Sequence, residues 1–221
     1  LEAASRASTC GNMQLYSLIV TQSRELREAL APCHFNQPMV TQAPCVITVC
    51  ADVHRFSMWC EQRDAEPCYD NFAWFLNGVT DALLAAQNLC VEAEAHGLGI
   101  CYLGTTIYTA EEIARILDLP KGVIPVTTIV VGHPDESPEL TDRLPLDAVV
   151  HCEKYHHYTS SEIDELWAEK ETSEETRRLL EENGLPNLAQ IFTRNRYRAE
   201  DNLAISRNYF ALLKKQGFFN N

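Results

Sequence analysis

The longest patterned stretch of the chain covers residues 71–106. Between Leu76 and His96 apolar side chains recur every three or four residues, which predicts a helix; they are Leu76, Val79, Leu83, Ala86, Cys90 and Ala93. Further apolar residues lie outside this stripe, namely Ala82, Ala85 and Leu89. A helix that is apolar on most sides is normally buried between other elements. We expect Gly97 to end it in the left-handed conformation.

Four short apolar runs alternate with helical segments and are predicted to be β-strands. They cover residues 16–20, 45–51, 98–103 and 126–131 and are rich in β-branched and aromatic side chains. Gly104-Thr105-Thr106 follows the third run and is expected to form a turn with exposed backbone N–H groups. Strands that alternate with helices predict a layered α/β or α+β domain.

Later segments carry helix-boundary signals. Thr109–Glu112 and Thr172–Glu175 each match a capping box, the second inside a charged helical region at 159–184. Residues 52–70 are expected to form a polar excursion. The apolar segment 198–219 is expected to pack against another surface, because it holds Tyr209, Phe210, Leu212, Leu213, Phe218 and Phe219.

Composition excludes several classes of partner. The 221 residues are 46% hydrophobic and carry a formal net charge of −13, which opposes binding to nucleic acids and anionic membranes. No run has the roughly 18 apolar residues of a membrane-spanning helix. The nine cysteines are odd in number and include no C-x-x-C pair, so a reduced cytoplasmic protein is expected. The chain starts at Leu1 without a methionine, and we expect further residues upstream.

Most catalytic motifs are absent or incomplete. The glycines at 97, 99 and 104 follow a helix, whereas a dinucleotide-binding fingerprint follows a strand. His151-Cys152-Glu153 lacks the P-C-x-x-C of zinc deaminases, and His151, His156 and His157 are interpreted as an exposed loop cluster, so no metal is expected. Cys10 leaves a thiol hydrolase open as an alternative, although no histidine adjoins it in the sequence.

Neutral polar side chains occupy the loops beside the strands. They are Ser8, Thr9, Asn12, Gln14, Asn36 and Gln37, and a later loop adds Arg143. Amide groups match the pyrimidine edge of a flavin and an arginine matches its phosphate. On these residues alone, ordinary turn-capping loops are an equally open interpretation.

The order and spacing of several segments resemble the FMN-dependent nitroreductases, in particular the oxygen-insensitive NADPH nitroreductase and flavin reductase subgroup. The segments are Ala7-Ser8-Thr9-Cys10-Gly11-Asn12-Met13-Gln14, Gln42-Ala43-Pro44, Cys50-Ala51-Asp52, the helix from Asp81 to His96 with Gly97-Leu98-Gly99, Tyr102-Leu103-Gly104, Gly132-His133-Pro134, Arg143-Leu144-Pro145, His151 with Tyr155, and Lys215-Gln216-Gly217-Phe218. The resemblance implies one FMN-binding domain over 1–221 with a three-layer α+β fold. Its mixed, mainly antiparallel sheet is flanked by helices around the long central helix. Residues 159–221 form a helical excursion and an extended tail that embraces a homodimer partner.

The same resemblance implies the site. FMN lies at the homodimer interface, built largely by the central helix and the apolar tail. Thr9 contacts FMN, and the cofactor-binding residues of the same loop also include Ser8, Asn12 and Gln14. Gln37 bonds the isoalloxazine edge. Tyr102, Leu103, Gly104 and Thr105 lie along the ring, with a backbone N–H of Gly104 or Thr105 near flavin N5. Arg143 binds the phosphate.

Two departures from the family remove positive charge from the phosphate pocket. The family's Arg-x-Ser-x-Arg segment is missing and is expected upstream of Leu1, and Thr141 stands where the subgroup often has lysine.

The implied activity is ping-pong transfer of reducing equivalents from NAD(P)H through FMN to small-molecule acceptors such as nitroaromatics, quinones or flavins, with no catalytic side chain. A non-catalytic or weakly active flavin-binding protein, for storage or sensing, is the alternative.

Overall fold

The four predicted strands pair into one antiparallel sheet in the computed structural model, which describes residues 1–220. They are β1 (Tyr16–Thr21), β2 (Cys45–Asp52), β3 (Gly99–Leu103) and β4 (Val123–Gly132), in the spatial order β1-β2-β4-β3. The strand predictions are confirmed, except that β4 begins earlier than residue 126. Pro125 usually indicates the end of a strand, but here it pairs with Cys50 where the register shifts.

The helices complete the predicted α+β class. They are α1 (Glu2–Ser5), α2 (Arg24–Leu30), α3 (Met39–Gln42), α4 (His54–Glu61), α5 (Phe72–Ala95), α6 (Ala110–Ile116), α7 (Ser160–Thr172), α8 (Glu174–Asn183), α9 (Leu188–Ile191) and α10 (Ala199–Lys215). Helix α4 lies inside the region predicted as a polar excursion, so that prediction missed a regular element. No helix within residues 1–220 combines the length and apolarity needed to cross a bilayer.

Helix α5 lies on one face of the sheet, as its composition predicted. Its small residues face the sheet: a Cβ on Gly78 would lie 3.1 Å from the Ala51 Cβ and 3.2 Å from the Leu15 carbonyl oxygen. Gly97 has a φ of 73°, and the N–H of Leu98 donates to the Ala93 carbonyl, which confirms the predicted helix end.

The buried face of α5 differs from the predicted stripe. Leu76 and Leu83 are 48% and 43% exposed, whereas Ala82, Ala85 and Leu89 are buried. The spacing predicted the helix correctly but identified its inner face only in part, because both faces are apolar: Ala86, Cys90 and Ala93 of the predicted stripe are buried. Alanine and glycine bring the helix close to the sheet, and the leucines remain outside.

Both predicted capping boxes are wrong. The Thr109 hydroxyl donates to the Cys33 carbonyl at 2.8 Å, and it makes no side-chain cap of α6. Helix α8 is capped by Ser173, whose hydroxyl accepts from the Thr176 N–H at 3.1 Å. A capping box forms instead at Thr159, with Glu162, at the start of α7.

The chain forms two units, residues 1–135 with 204–220 and residues 136–203. In the first unit, the predicted packing of the apolar tail is confirmed, since Leu212, Leu213 and Phe218 join Leu15, Phe75 and Ile124 in one buried cluster. The second unit holds α7, α8 and α9 after a long loop.

Candidate functional site

The first unit places two polar loops at the same end of its sheet. Tyr16 of β1 is level with Ala51 and Ile124, and β3 runs from the level of Gly132 to that of Thr128. The loop before β1 and the turn after β3 therefore both lie towards the end where β4 begins. Because β1 and β3 are the two edge strands, about 14 Å of sheet separates them.

The loop before β1 is held by a buried carboxylate. Asp81 of α5 is 2% exposed, and it accepts from the Thr9 hydroxyl at 2.6 Å, the Cys10 N–H at 2.9 Å and the Leu15 N–H at 3.1 Å. The Thr9 hydroxyl in turn accepts from the Gln14 N–H at 2.9 Å. The hydroxyl thus donates to α5 and accepts from its own loop, and these two bonds fix the residues predicted to contact FMN.

A guanidinium holds the carbonyl side of the same loop. Arg55 donates through Nη2 to the carbonyl oxygens of Gln14 and Tyr16. Its Nη1 donates to the Ser17 hydroxyl at 3.1 Å and to Asp52 at 3.2 Å. Asp81 accepts from the N–H groups of this backbone segment, and Arg55 donates to its C=O groups. Two side chains of opposite charge therefore hold the donors and the acceptors of one segment.

This loop has an unusual backbone. Gly11, Asn12 and Gln14 have φ values of 54°, 58° and 48°, a conformation that costs about 1 kcal/mol or more for a residue with a Cβ. Strained backbone concentrates at functional sites. The Gln14 side-chain amide donates to the carbonyl and to the side-chain oxygen of Asn12, so these two predicted residues lie together. Ser8 precedes them and makes none of the side-chain hydrogen bonds identified within residues 1–220.

The second polar region joins two segments that are far apart in sequence. His34 Nδ1 lies 2.9 Å from the Thr105 hydroxyl oxygen, and the Phe35 and Tyr108 rings lie 6.1 Å apart. Together with the Thr109–Cys33 bond, these contacts bring the Gln37 loop beside the Gly104–Ile107 turn. The sequence predicted both segments as site elements, and the structure places them side by side.

The Gly104–Ile107 turn begins with backbone donors that its own helix does not use. It is a short 3₁₀ helix, and the first N–H groups of a helix have no partner within it. The space where a Gly104 Cβ would stand is open to 4 Å, so a flat ligand can approach the backbone.

The remaining predicted residues differ in exposure. Leu103 is buried, and Tyr102 is exposed at the β3 edge with its hydroxyl 3.4 Å from Gln87 Oε1. The side chain is partly buried, and desolvation of this part raises the pKa of the Tyr102 phenol, so it remains a neutral donor. Arg143 belongs to the second unit, where its Nη1 donates to the Thr141 hydroxyl at 2.6 Å and to the Asp142 carbonyl at 2.8 Å.

Neither of the other two chemistries considered from the sequence is assembled. No group of three or more His, Cys, Asp or Glu residues within residues 1–220 is arranged to hold a metal ion. The described hydrogen bonds give the Cys10 backbone N–H to Asp81, and none of them joins its thiol to a histidine.

Sequence reasoning missed Asp81, Arg55 and His34 as parts of the site. A single carboxylate among apolar residues of a buried helix was the available signal for Asp81. The bond of Arg55 to Ser17 and the contact of His34 with Thr105 span 38 and 71 residues, and no local pattern indicates such pairs.

The burial of His34 predicts a pH dependence of stability. The side chain is fully buried, and desolvation lowers its pKa from 6.5 to about 4. Between these values the unfolded chain binds a proton that the folded chain does not, so stability rises with pH across this window. Between pH 6.5 and pH 4, we expect the free energy of unfolding of the wild-type protein to fall by about 3 kcal/mol more than that of His34→Asn. Urea unfolding at a series of pH values measures this, and parallel curves for the two proteins would contradict it.

Comparison with known proteins gives consistent results. The sequence model of the Nitroreductase family matches residues 1–133. The curated "FMN reductase (NADPH)" of Bacillus subtilis (strain 168) is 33% identical over 158 residues, which cover 71% of this chain and 64% of that protein. The "NADPH-dependent oxidoreductase" of Staphylococcus aureus (strain USA300) is 36% identical over 160 residues, 71% of this chain and 63% of that protein. The chain thus spans slightly less than two thirds of the length of these two relatives.

Solved structures share the fold. One from Bacteroides fragilis NCTC 9343 is 49% identical with a TM-score of 0.97, covering 99% of this chain and 89% of that one. NfrA2 of B. megaterium is 30% identical with a TM-score of 0.83, covering 100% and 87%. The family match over more than half of the chain, together with the sheet and long helix shared with these structures, shows that the chain belongs to the nitroreductase family.

Proposed function

We propose that this protein is an FMN-containing oxidoreductase that takes reducing equivalents from NADPH and passes them to flavins, quinones or nitroaromatics by ping-pong kinetics. The observation that carries the proposal is the pair of polar loops at one end of the sheet. The second starts a short 3₁₀ helix, whose first N–H groups have no partner within it, beside the open space at Gly104. The names of the two curated relatives support NADPH and FMN as the partners.

The residues present fit FMN by their chemistry. The first loop offers the hydroxyl of Ser8 and the amides of Asn12 and Gln14, on a backbone that Thr9 braces. The second region offers the Gln37 amide, the Tyr102–Leu103 edge and the Gly104–Thr105 donors. Uncharged amides and N–H groups suit the edges of a flavin ring, and Arg143 suits its phosphate.

The protein's part in the reaction is binding and electrostatics. FMN, when bound, supplies the hydride chemistry between NADPH and the acceptor. The N–H groups at the start of the Gly104–Ile107 turn are fixed backbone dipoles beside open space. Such donors stabilise negative charge that develops there without having to reorganise. Asp81 and Arg55 hold the opposite loop in its strained conformation, so its amides are oriented before the ligand arrives.

We also propose that the site is completed in a homodimer. About 14 Å of sheet separates the two loops of one chain, and a symmetric dimer can bring the first loop of one chain to the second loop of its partner. An exposed apolar stripe on α5 supports such an interface; its members are Phe72, Leu76, Leu83, Leu84 and Val91. On this proposal, residues 1–221 act as one FMN-binding domain, and 159–221 supply the excursion and tail of the dimer.

We propose a cytoplasmic location as well. All nine cysteines lie within residues 1–220 and all are free thiols, which suits a reducing compartment.

A flavin-binding protein with little turnover, for storage or sensing, is a second candidate. The contacts of Arg143 favour it: one of its guanidinium nitrogens is engaged within its own loop, and acidic residues outnumber basic ones in residues 136–203. Both features weaken phosphate binding.

Spectroscopy separates the candidates. Purified protein incubated with FMN is expected to become yellow with about one flavin per chain. Anaerobic NADPH should bleach the colour, and a quinone should restore it. Flavin that stays oxidised under NADPH supports the second candidate, and a colourless protein contradicts both. Cys10→Ala is expected to turn over normally, whereas a thiol hydrolase would lose its activity.

A further inference from the structure

His34 is an enclosed polar side chain beside the proposed flavin site. It is fully buried, and its one described hydrogen bond is the 2.9 Å contact between Nδ1 and the Thr105 hydroxyl oxygen. Its Nε2 is buried and has no partner. The imidazole therefore makes a single polar contact, and that contact is with a residue of the Gly104–Ile107 turn.

The chemistry of the orphaned Nε2 favours one tautomer. If Nε2 carried the proton, a buried N–H donor would remain without an acceptor, which is rare in proteins. If Nδ1 carries it, Nδ1–H can donate to Thr105 and Nε2 is the acceptor nitrogen, so no buried N–H is left without an acceptor. In the second case Nδ1–H donates to Thr105, and the hydroxyl proton of Thr105 is free to point away from His34.

The surrounding loop fixes this arrangement. Phe35 and Asn36 both have a φ of 55°, so two consecutive residues with side chains adopt the left-handed conformation. The Asn36 N–H donates to the Ala31 carbonyl at 2.9 Å, and the Thr109 hydroxyl donates to Cys33 at 2.8 Å. The loop is thus bonded on both sides of His34, which leaves the imidazole little freedom to leave Thr105.

We infer that His34 is a positioning residue that orients the Thr105 hydroxyl as a hydrogen-bond donor to the flavin, and that it thereby stabilises the reduced cofactor. This inference rests on the proposed function, because it assigns the Thr105 turn to the flavin site. His34 does not touch the cofactor. Its effect passes through one hydroxyl, and its removal should have the same effect as removal of that hydroxyl.

The test is the two-electron midpoint potential of bound FMN, with the ring ¹⁵N chemical shifts of His34 as a second readout. His34→Leu and Thr105→Val are each expected to weaken the stabilisation of reduced flavin about tenfold, a fall of about 30 mV. The potential of the double variant should fall no further, since the two changes remove the same interaction. Thr105→Ser retains the hydroxyl and His34→Asn retains a donor near the Nδ1 position, so both should stay near the wild-type potential.

The matched control is Thr21→Val. Thr21 also has a buried hydroxyl without a partner, but it ends β1 at the opposite end of the sheet. Its removal should leave the potential unchanged.

Two results would overturn the inference: a His34→Leu potential equal to wild type, or His34 and Thr105 effects that simply add. If His34→Leu does not fold, NMR of the wild-type protein decides. A neutral ring protonated at Nδ1, whose Nδ1 resonance moves in Thr105→Val, supports the inference, and an Nε2-protonated ring overturns it. Failure of the wild-type chain to bind FMN would instead reject the proposed function.

Discussion

Replacing Asp81 by alanine is expected to lower FMN affinity about 100-fold and the free energy of unfolding by about 3 kcal/mol. The substitution removes an acceptor from the Thr9 hydroxyl and from the N–H groups of Cys10 and Leu15. Hydrogen bonds to a charged group contribute about 1.5–3 kcal/mol each, and part of this loss is recovered where water reaches the loop. Without these bonds, nothing offsets the strain of the Gly11–Gln14 backbone, so its conformation relaxes. The amides proposed to contact FMN then lose their orientation.

Flavin fluorescence titration and urea unfolding measure the two effects. Glu94→Ala is the matched control, because it removes a carboxylate from the same helix at an exposed position. The FMN affinity and the stability of Asp81→Asn should lie between those of Asp81→Ala and those of the Glu94→Ala control. Its one amide oxygen can still accept a hydrogen bond, but its NH₂ group faces the loop donors. If Asp81→Ala binds FMN within twofold of wild type, the loop is not part of the flavin site.

The local sequence pattern was sufficient to predict the helices and strands but not the contacts between them. The β-branched runs and the three-to-four spacing predicted β1 to β4 and α5 closely, because period and side-chain type act within a few residues. The bonds from Asp81 to the first loop join residues 66 to 72 positions apart. Only the packing of α5 on the sheet brings those residues together, so the sequence offered an isolated carboxylate and no partner.

The errors arise where a residue has a partner that its local sequence does not show. Thr109 stands at a position where the sequence pattern predicts a capping residue, but its hydroxyl donates to the Cys33 carbonyl. Thr109 and Cys33 come close only when the second polar region has formed. Of the site residues predicted through the family resemblance, Gln37 and Thr105 lie in neighbouring segments. Their connection through His34 has no signature in the sequence, because a histidine inside an irregular loop is equally compatible with exposure.

The outer face of helix α5, whose leucines were predicted as part of the buried stripe, leads to a further prediction. Its alanine-rich side lies on the sheet, and its leucine-rich side is exposed in the single chain. Soluble monomers rarely display a continuous apolar surface of this kind. The outer stripe is therefore the surface that we expect the second copy of the chain to cover.

The double substitution Leu83→Glu with Leu84→Glu is expected to convert the dimer to a monomer and to abolish FMN retention. In a two-fold interface each change occurs twice, so four carboxylates would be placed against an apolar surface. A loss of about 4 kcal/mol of association energy raises the dimer dissociation constant about 1,000-fold. Flavin retention should fail together with association, because the two loops of one chain are too far apart to replace the partner's loop.

Light scattering coupled to gel filtration measures the mass, and absorbance of the same peak measures retained flavin. Val149→Glu is the control: it also adds a carboxylate at an exposed apolar residue, 66% exposed and outside α5, and it should remain dimeric and yellow. The folded state of the variant is checked by its circular dichroism, which should be unchanged, since neither leucine belongs to the buried face. A folded monomer that keeps FMN would show that one chain completes the site alone, and a yellow dimer would place the interface on another surface.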